Sequence, residues 1–399
     1  MFRDDDVRGR PLRVGLNLVF LGECAGGVGR YATELAGGLL EAEPDSELHV
    51  FISRDAPEQL REAPWAQSVR WVELPVRLSG PPLHVLAQFA ALPPLALARR
   101  LDVLHSPANT GPAIAPGLVS VVSLHDLIWL HRAAEWESSA HIQRRMDVLV
   151  RHCLRHVDRV FADSHAAAED FVETLGLSRE RIDVTPLGVR PPGDGATVPE
   201  HELRARLALG DARVLMCVAQ KRPYKNLRAL ICALAGLDDD VMLVLPGAPT
   251  EHERELRELA DRLGVGSRVR LLDWVSDEEL GGLYALASVF ALPSFIEGFG
   301  LPVLEAMAHD VPVACARVAA LPEIAGDAAL LFDPNSQDEV TAALRRLLDD
   351  RALADRLVAR GRERVAQYSW RRTGEASLAG YRRAMLARAP RRFSPARAA

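Results

Sequence analysis

Short apolar runs alternate along the chain with longer segments in which apolar residues recur at helical spacing. In the first half, the apolar runs predict strands at residues 12–20, 48–53, 69–74, 102–106, 118–124 and 158–164. Helical spacing predicts helices near residues 28–40, 82–100, 138–156 and 165–175. Strands and helices that alternate in this way are typical of a parallel sheet covered on both faces.

Proline and glycine crowd residues 186–200, a segment without apolar period that is typical of a linker. The alternation then resumes, with strand-like runs at 213–219, 241–247, 268–275, 288–294, 311–316 and 329–333. We therefore predict two doubly wound α/β domains, at residues 1–190 and 191–370. A last helix at 371–388 is predicted to return to the N-terminal domain. The basic tail 389–399 is predicted to be solvated, with attraction to anionic lipid as the alternative.

The composition is that of an ordinary globular protein, with 48% hydrophobic and 26% charged residues. A formal net charge of -6 argues against a dedicated nucleic-acid binder. The five cysteines are scattered and never spaced as C-x-x-C, so neither a zinc site nor a disulfide framework is indicated. This cysteine usage favours the reducing cytosol.

One apolar stretch, residues 83–98, is shorter than the ~20 residues of a membrane-spanning helix and is broken by Pro93 and Pro94. We predict a packed or interfacial helix there. Residues 1–16 contain no uncharged run of signal-peptide length. The expected location is the cytoplasm, and peripheral contact with the inner face of the membrane stays open as an alternative.

Only two of the 48 basic residues are lysines, Lys221 and Lys225, and both follow a predicted strand. The compact ammonium of lysine can approach a phosphate oxygen without the width of a guanidinium. A strand, a basic turn and then a helix predict an anion site at the carboxyl edge of a sheet. Lys221 is expected to be a solvated neighbour of Lys225, and a basic surface turn without function is the alternative.

Two glutamates, Glu297 and Glu305, lie on either side of a glycine-rich turn that leads into an apolar helix-like stretch. Gly298 and Gly300 let the backbone approach a ligand closely, so the turn can offer N–H groups to an anion. A carboxylate one turn into the helix can accept two vicinal hydroxyls, and the other carboxylate can accept hydroxyls of a second ring. The helix macrodipole would explain Glu305 alone. Two acids around an anion site therefore point to a sugar nucleotide.

These residues resemble the E-x7-E motif of the retaining glycosyltransferases of family 4, which have the GT-B fold of two facing Rossmann-like domains. Further segments resemble the family's glycine loop, its strand-end histidine, its R-P-x-K-N segment and its C-terminal domain. They are GGVGRYA at 26–32, VSLHDL at 122–127, RPYKNL at 222–227, and the stretches 275–294 and 321–334. The resemblance thus spans nearly the whole chain.

The resemblance implies a site that binds the donor diphosphate from both domains. Gly26 and Gly27 would bring backbone N–H groups to the donor phosphate, and Arg222 and Lys225 would hold the diphosphate. Gln220 stands where some relatives carry an arginine, five residues before the lysine.

The resemblance also implies which residues bind the two rings. Glu297 would orient the transferred sugar, Glu305 would bind the ribose, and the backbone at 299–301 (Phe299, Gly300, Leu301) would contact sugar and phosphate. His125 would touch the donor sugar, with its carbonyl near the reacting carbon, and a packed strand-end histidine is the alternative. Residues 309–314 read HDVPVA where many relatives carry G-T-P, which could alter helix packing near the site.

No metal and no other cofactor is expected, and the acidic runs at 4–6 and 238–240 are taken as solvated. Helix N-termini and the cations of residues 221–225 would then stabilise the leaving diphosphate. The implied activity is retaining transfer of a hexose or deoxyhexose from a nucleoside diphosphate sugar to a saccharide, lipid-linked saccharide or natural product. The alternatives are a GT-B epimerase or phosphorylase, and a catalytically silent sugar-nucleotide-binding subunit. The sequence leaves sugar, base and acceptor open, with a lean towards mannosyl- or rhamnosyl-type donors.

Overall fold

The structure, a computed structural model, describes residues 10–22, 26–75, 81–112, 117–132, 140–190, 192 and 197–388. Within them, two parallel sheets are built from the alternating pattern. The predicted α/β fold with two Rossmann-like domains is confirmed. The acidic run at 4–6 and the tail 389–399 lie outside the described residues.

The first sheet has the strand order β3-β2-β1-β4-β5-β6-β7, counted over the described residues. Its strands are β1 Arg13–Asn17, β2 Glu47–Ile52, β3 Arg70–Glu73, β4 Val103–Ser106, β5 Val119–Leu124, β6 Arg159–Ala162 and β7 Ile182–Val184. Val14 is opposite Leu48 on one side and Val103 on the other, so β1 lies centrally and is buried by both neighbours. β7 was not predicted, because three residues are too few to show a strand period.

The helices of this domain cover the sheet. They are α1 Gly26–Ala42, α2 Pro81–Ala98, α3 Ile128–His131, α4 Ala140–His156 and α5 His165–Leu175. α5 is capped at its start by Ser164, whose Oγ accepts from the N–H of Ala167, and at its end by Gly176 in the left-handed conformation. In α2, Leu92 and Ala96 are fully buried, as a packed helix requires. Among the residues that the structure describes, no helix is both long and apolar enough to cross a membrane.

The second sheet has the order β10-β9-β8-β11-β12-β13, again over the described residues. Its strands are β8 Arg213–Met216, β9 Val241–Pro246, β10 Val269–Leu272, β11 Val289–Leu292, β12 Val313–Ala316 and β13 Ala329–Phe332. Its helices are α6 Glu200–Arg206, α7 Leu227–Leu234, α8 His252–Arg262, α9 Asp277–Leu286, α10 Leu301–Ala308, α11 Leu321–Ala325, α12 Gln337–Asp349 and α13 Arg351–Val365. At the amino ends of the interior strands β8 and β9, Asp238 and Asp240 of the second acidic run both pair with Arg213.

In both sheets the strand order reverses beside the first strand, between β1 and β4 and between β8 and β11. Ligands of doubly wound folds bind outside the carboxyl ends of the strands at such a reversal. The loops that follow β1, β8 and β11 carry Gly26, Lys225 and Glu297 respectively. Topology therefore brings the predicted donor residues of each domain to its reversal point.

The last helix among the described residues, α14 Trp370–Arg388, packs on α1 of the first domain. The two helices approach so closely that a Cβ at Gly38 would overlap the carbonyl of Trp370, and one at Gly374 would overlap the carbonyl of Gly38. Tyr381 Oη also lies 2.6 Å from His105 Nδ1 in the first domain. The last helix thus contacts the N-terminal domain, while the domain limits at 190 and 370 remain predictions.

Candidate functional site

The carboxyl edges of the two sheets meet at a glycine in the second domain. A Cβ at Gly298 would overlap the main-chain oxygen of His125, at the end of β5. Ser164 Oγ donates to the carbonyl of Gly298 at 2.9 Å, and Glu323 Oε1 accepts from the N–H of His165 at 3.0 Å. The turn between the two motif glutamates therefore touches the first domain directly, and the absence of a side chain at Gly298 permits that contact.

Lys225 and Glu297 form a partly buried ion pair in the second domain. Lys225 Nζ lies 2.7 Å from Glu297 Oε1, and Ser294 Oγ donates to the same oxygen at 2.7 Å. Burial by itself lowers the pKa of Lys225, but the charge of Glu297 and its hydrogen bond, together with Tyr224 and Asp126, raise the pKa above its usual range. The lysine is therefore charged at neutral pH although little of it reaches solvent.

The loop that carries Lys225 is held in place by backbone contacts to the loop of Glu297. Phe295 donates its N–H to the carbonyl of Tyr224 at 2.9 Å. Asn226, in the left-handed conformation with φ 53°, donates from Nδ2 to the carbonyls of Pro293 at 3.2 Å and Pro334 at 3.0 Å. These bonds tie the ends of neighbouring strands together, so the positions of cation and acid are set by the sheet.

The expectation that Lys221 is solvated was wrong. Its side chain is fully buried, and Nζ donates to the carbonyls of Gly247 and Leu272, at the ends of β9 and β10. Nζ also lies 3.6 Å from Glu253 Oε2. Burial lowers the pKa of Lys221, while the carboxylates of Glu253 and Asp273 oppose that change. Lys221 thus has a structural role at the ends of β9 and β10, which its sequence position does not reveal.

Gly26 and Gly27 begin α1, opposite the basic loop of the second domain. Gly26 has φ 57°, and a Cβ there would come within 3.9 Å of Gln220 Nε2. A Cβ at Gly27 would meet nothing within 4 Å. Arg222 is partly buried and donates its N–H to the carbonyl of Gln220 at 2.8 Å. The first turn of α1 therefore faces Gln220, at the start of the basic loop, across the cleft.

The backbone at residues 299–301 forms the start of α10. Gly300 has φ 95°, a conformation that favours glycine, and Pro302 occupies the first turn. The side chains of Phe299 and Leu301 are buried, the first against Tyr368 with ring centroids 5.9 Å apart. Because both side chains belong to the core, this turn can offer only its backbone groups to a ligand.

Glu305 is buried one turn further along and is bound from both domains. Tyr284 Oη donates to Glu305 Oε2 at 2.9 Å, and Arg30 of α1 donates to Oε1. Arg30 also pairs with Asp277 at 2.7 Å. Neither Arg30 nor Tyr284 was predicted from the sequence. Arg30 lies one helical turn after Gly26 in the quoted glycine loop, which was the available signal for it.

His125 is buried at the end of β5 and paired within the first domain. Its Nδ1 lies 2.8 Å from Asp163 Oδ2, and its Nε2 lies 3.4 Å from the carbonyl of Pro107. The ring of Tyr31 packs edge-on against it, with centroids 4.9 Å apart. Burial alone lowers the pKa of His125, but the charge of Asp163 and their hydrogen bond raise it above its usual value. Asp163 was not predicted, and contact between His125 and the donor sugar stays a prediction.

Asp126 follows His125 and was also not anticipated. A Cβ at Gly298 would lie 3.1 Å from Asp126 Cβ, so the carboxyl group is at the domain contact. Burial raises the pKa of Asp126, while its hydrogen bond from the N–H of Ile128 and the charge of His125 lower it.

No group of three or more His, Cys, Asp or Glu side chains within the described ranges has the arrangement of a metal site.

Comparison with known proteins identifies the family. A model described as Glycosyltransferase Family 4 matches residues 25–191, and one described as Glycosyl transferases group 1 matches residues 200–364. The chain is 30% identical to a D-inositol 3-phosphate glycosyltransferase of Kineococcus radiotolerans over 92% of this chain and 93% of that protein. It is 32% identical to the MMP alpha-(1->4)-mannosyltransferase of Mycolicibacterium hassiacum over 71% of each chain.

A solved structure agrees with the fold. The structure of Anabaena HepE in complex with UDP-glucose superposes with a TM-score of 0.70, at 20% identity, over 92% of this chain and 98% of that chain. Two facing Rossmann-like domains with the motif residues at their cleft define a glycosyltransferase of the GT-B fold. The chain belongs to glycosyltransferase family 4.

Proposed function

We propose that the protein transfers a hexose or deoxyhexose from a nucleoside diphosphate sugar to a hydroxyl acceptor, with retention at the anomeric carbon. The observation that carries this proposal is the Lys225–Glu297 pair beside the turn that leads to Glu305. A cation and two acids around one turn suit a diphosphate flanked by two hydroxyl-bearing rings.

The carboxylates have room for hydroxyl groups. Among the described residues, the hydrogen bonds to the Glu297 carboxylate both go to Oε1, which leaves Oε2 for the transferred sugar. Lys225 would turn from Oε1 to a phosphate oxygen when the donor binds, with Arg222 on the same side. The N–H groups at the starts of α10 and α1, at Gly300 and Gly26, would add partial positive charge.

In the proposed reaction, the acceptor oxygen attacks the anomeric carbon from the face that the diphosphate leaves. A bond forms between acceptor oxygen and sugar carbon, the bond from that carbon to the phosphate oxygen breaks, and the acceptor proton passes to the departing phosphate. Lys225, Arg222 and the helix N-termini stabilise the charge that develops on the diphosphate. His125 contacts the donor sugar from the first domain. No metal or cofactor takes part in this proposal.

The likeness to relatives supports the substrate classes. One relative is named a mannosyltransferase, and a structural neighbour was solved with UDP-glucose. We propose a mannosyl- or rhamnosyl-type donor and a saccharide, lipid-linked saccharide or natural product as acceptor. The reaction would belong to bacterial polysaccharide, glycolipid or natural-product synthesis, in the cytoplasm or in peripheral contact with the inner face of the membrane.

Thermal unfolding with UDP, GDP, ADP and dTDP tests the donor site. A nucleotide present at a hundred times its dissociation constant should add about 2.7 kcal/mol to the free energy of unfolding. Transfer from the sugar nucleotide of that base should continue in EDTA, and NMR of the product should show retained configuration. If none of the four nucleotides shifts the melting temperature, the donor site is refuted. Loss of transfer in EDTA that added magnesium restores would refute metal independence alone.

A further inference from the structure

Arg30 connects the first domain to the acid assigned to the ribose. It lies on α1 and donates from Nη1 to Glu305 Oε1 and from Nη2 to Asp277 Oδ1 at 2.7 Å. The two acceptors lie on α10 and at the start of α9, both in the second domain. One guanidinium therefore holds two elements of the second domain from across the cleft.

The carboxylate of Glu305 keeps free capacity on each oxygen. Arg30 donates to Oε1, and Tyr284 donates to Oε2 at 2.9 Å. An ionised carboxylate has about four lone-pair sites, so each oxygen can accept one more hydrogen bond. Two vicinal hydroxyls need two acceptor positions side by side. The carboxylate offers them when Arg30 holds Oε1 and Tyr284 holds Oε2.

The surroundings make Glu305 dependent on this contact. Glu305 is only 9% exposed, and Tyr284 is buried with its ring stacked on His309 at 5.0 Å. Burial alone lowers the pKa of Arg30, but the charges of Glu305 and Asp277 outweigh it, so the guanidinium stays charged. Without Arg30, the buried carboxylate would lose the charged donor that holds Oε1 in place.

We propose that Arg30 is a positioning residue for nucleotide recognition, which fixes the Glu305 carboxylate for the two ribose hydroxyls and makes ribose binding depend on contact between the domains. The inference rests on the donor site of the proposed function. Arg30 acts through Glu305 and touches no reacting atom. Lysine would replace it poorly, because one ammonium on a flexible stem lacks the fixed fork that binds Glu305 and Asp277 together.

A neighbouring arginine provides a matched control. Arg190 pairs with Glu34, which lies on α1 one turn after Arg30. Arg190 Nη1 also lies 3.9 Å from Asp277 Oδ2. It thus belongs to the same charged network and has no bond to Glu305 among the described contacts. A variant at Arg190 should report what the network does for stability and domain contact alone.

The experiment compares nucleotides with and without the second ribose hydroxyl. Calorimetry measures the dissociation constants of UDP, GDP and ADP, of their 2′-deoxy forms and of pyrophosphate, for wild type, Arg30→Ala, Arg30→Lys, Arg30→Gln and Arg190→Ala. The wild type should prefer the ribose form by about tenfold, because a hydrogen bond to a charged group is lost in the deoxy form. Arg30→Ala should remove most of that preference, Arg30→Lys part of it, and Arg190→Ala none.

The outcomes separate this inference from the proposed function. Equal weakening of ribose form, deoxy form and pyrophosphate by the Arg30 variants would show a role in domain contact only and would overturn the inference. Unchanged binding in those variants would overturn it as well. A wild type that binds none of the nucleotides would refute the proposed donor site and this inference with it. If Arg30→Ala does not fold, Arg30→Gln and Arg30→Lys decide the question by the same ratio.

Discussion

The two ends of the turn between Glu297 and Glu305 bind their cations in different ways. Glu297 pairs with Lys225 inside the second domain, whereas Glu305 pairs with Arg30 from the first domain. The Glu297 end is assembled by two loops at one sheet edge, and the Glu305 end is complete only while the domains touch. Two acids of one motif thus depend on different levels of the structure.

The difference follows from how each pair is held. Lys225 and Glu297 lie in the loops that follow β8 and β11, which are hydrogen-bonded neighbours. The distance between the two side chains is therefore set by the sheet. Arg30 and Glu305 are 275 residues apart along the chain and lie on helices of separate domains, α1 and α10. The Glu297 end should therefore be insensitive to domain separation, and the Glu305 end should be sensitive to it.

The largest expected effect is that of replacing Lys225, the cation paired with Glu297. Lys225→Arg should fold normally and lose about 10²-fold or more in transfer rate, because the wider guanidinium displaces a preorganised donor to the diphosphate. Steady-state transfer, or hydrolysis of the donor by water, measures the loss. The control is Arg228→Lys, an exposed exchange in the opposite direction on α7, which should keep full activity. Wild-type activity in Lys225→Arg would show that charge alone suffices there.

The second effect concerns Lys221, at the ends of β9 and β10. Lys221→Met leaves the carbonyls of Gly247 and Leu272 and the carboxylate of Glu253 without their cation. We expect the free energy of unfolding to fall by about 1–3 kcal/mol, the cost of buried unpaired polar groups. Urea unfolding measures the change, and Lys221→Arg should also destabilise because the site has no room for a larger group. Full stability in both variants would contradict the structural role.

The third prediction sharpens the contrast between the two acids. Glu305→Ala should weaken binding of the bare nucleoside diphosphate by about tenfold, through loss of bonds to the ribose. Glu297→Ala should leave that affinity unchanged or raise it, since Lys225 is then free for phosphate, while transfer falls. Calorimetry with the diphosphate and an activity assay separate the two results. Equal weakening by both changes would contradict the assignment of one acid to each ring.

The smallest effect is expected in a pair that belongs to the first domain alone. The charge of Asp163 raises the pKa of His125 against burial, and burial raises the pKa of Asp163. Groups with a raised pKa bind more protons when folded. The stabilisation from His125 is therefore complete below the unfolded pKa of about 6.5 and is lost as pH rises through the folded pKa, and Asp163 changes stability in the same direction.

Urea unfolding of wild type and of the double variant His125→Asn/Asp163→Asn measures this pH dependence. The difference in free energy of unfolding between them should be larger at pH 6 than at pH 9, by about 1 kcal/mol or less. A difference that grows with pH would show that the pair releases protons on folding. Unlike the Glu305 end, this pair should respond in the same way with and without nucleotide.

Much of the fold and part of the site could be predicted from the sequence. The strands apart from β7, the longer helices of the first domain and the last helix followed from apolar periodicity, whereas β7 and the four-residue α3 are too short to show one. The motif glutamates and Lys225 could be proposed as site residues from the sequence, because a motif is local. The prediction for Lys221 was wrong, because a basic residue in a polar turn is usually solvated. Here its Nζ donates to carbonyls at the ends of β9 and β10.

The sequence by itself determined the order of elements, the two α/β domains and the turn with an acid at each end, because these depend on residues only a few positions apart. Only the tertiary structure decided which cation meets which acid. Arg30 reaches Glu305, Asp163 reaches His125, and Lys221 turns inward because packing of sheets and domains places them together. Such contacts depend on the whole fold, because a buried charged group is costly without a partner and the packing of the domains decides which partner is near.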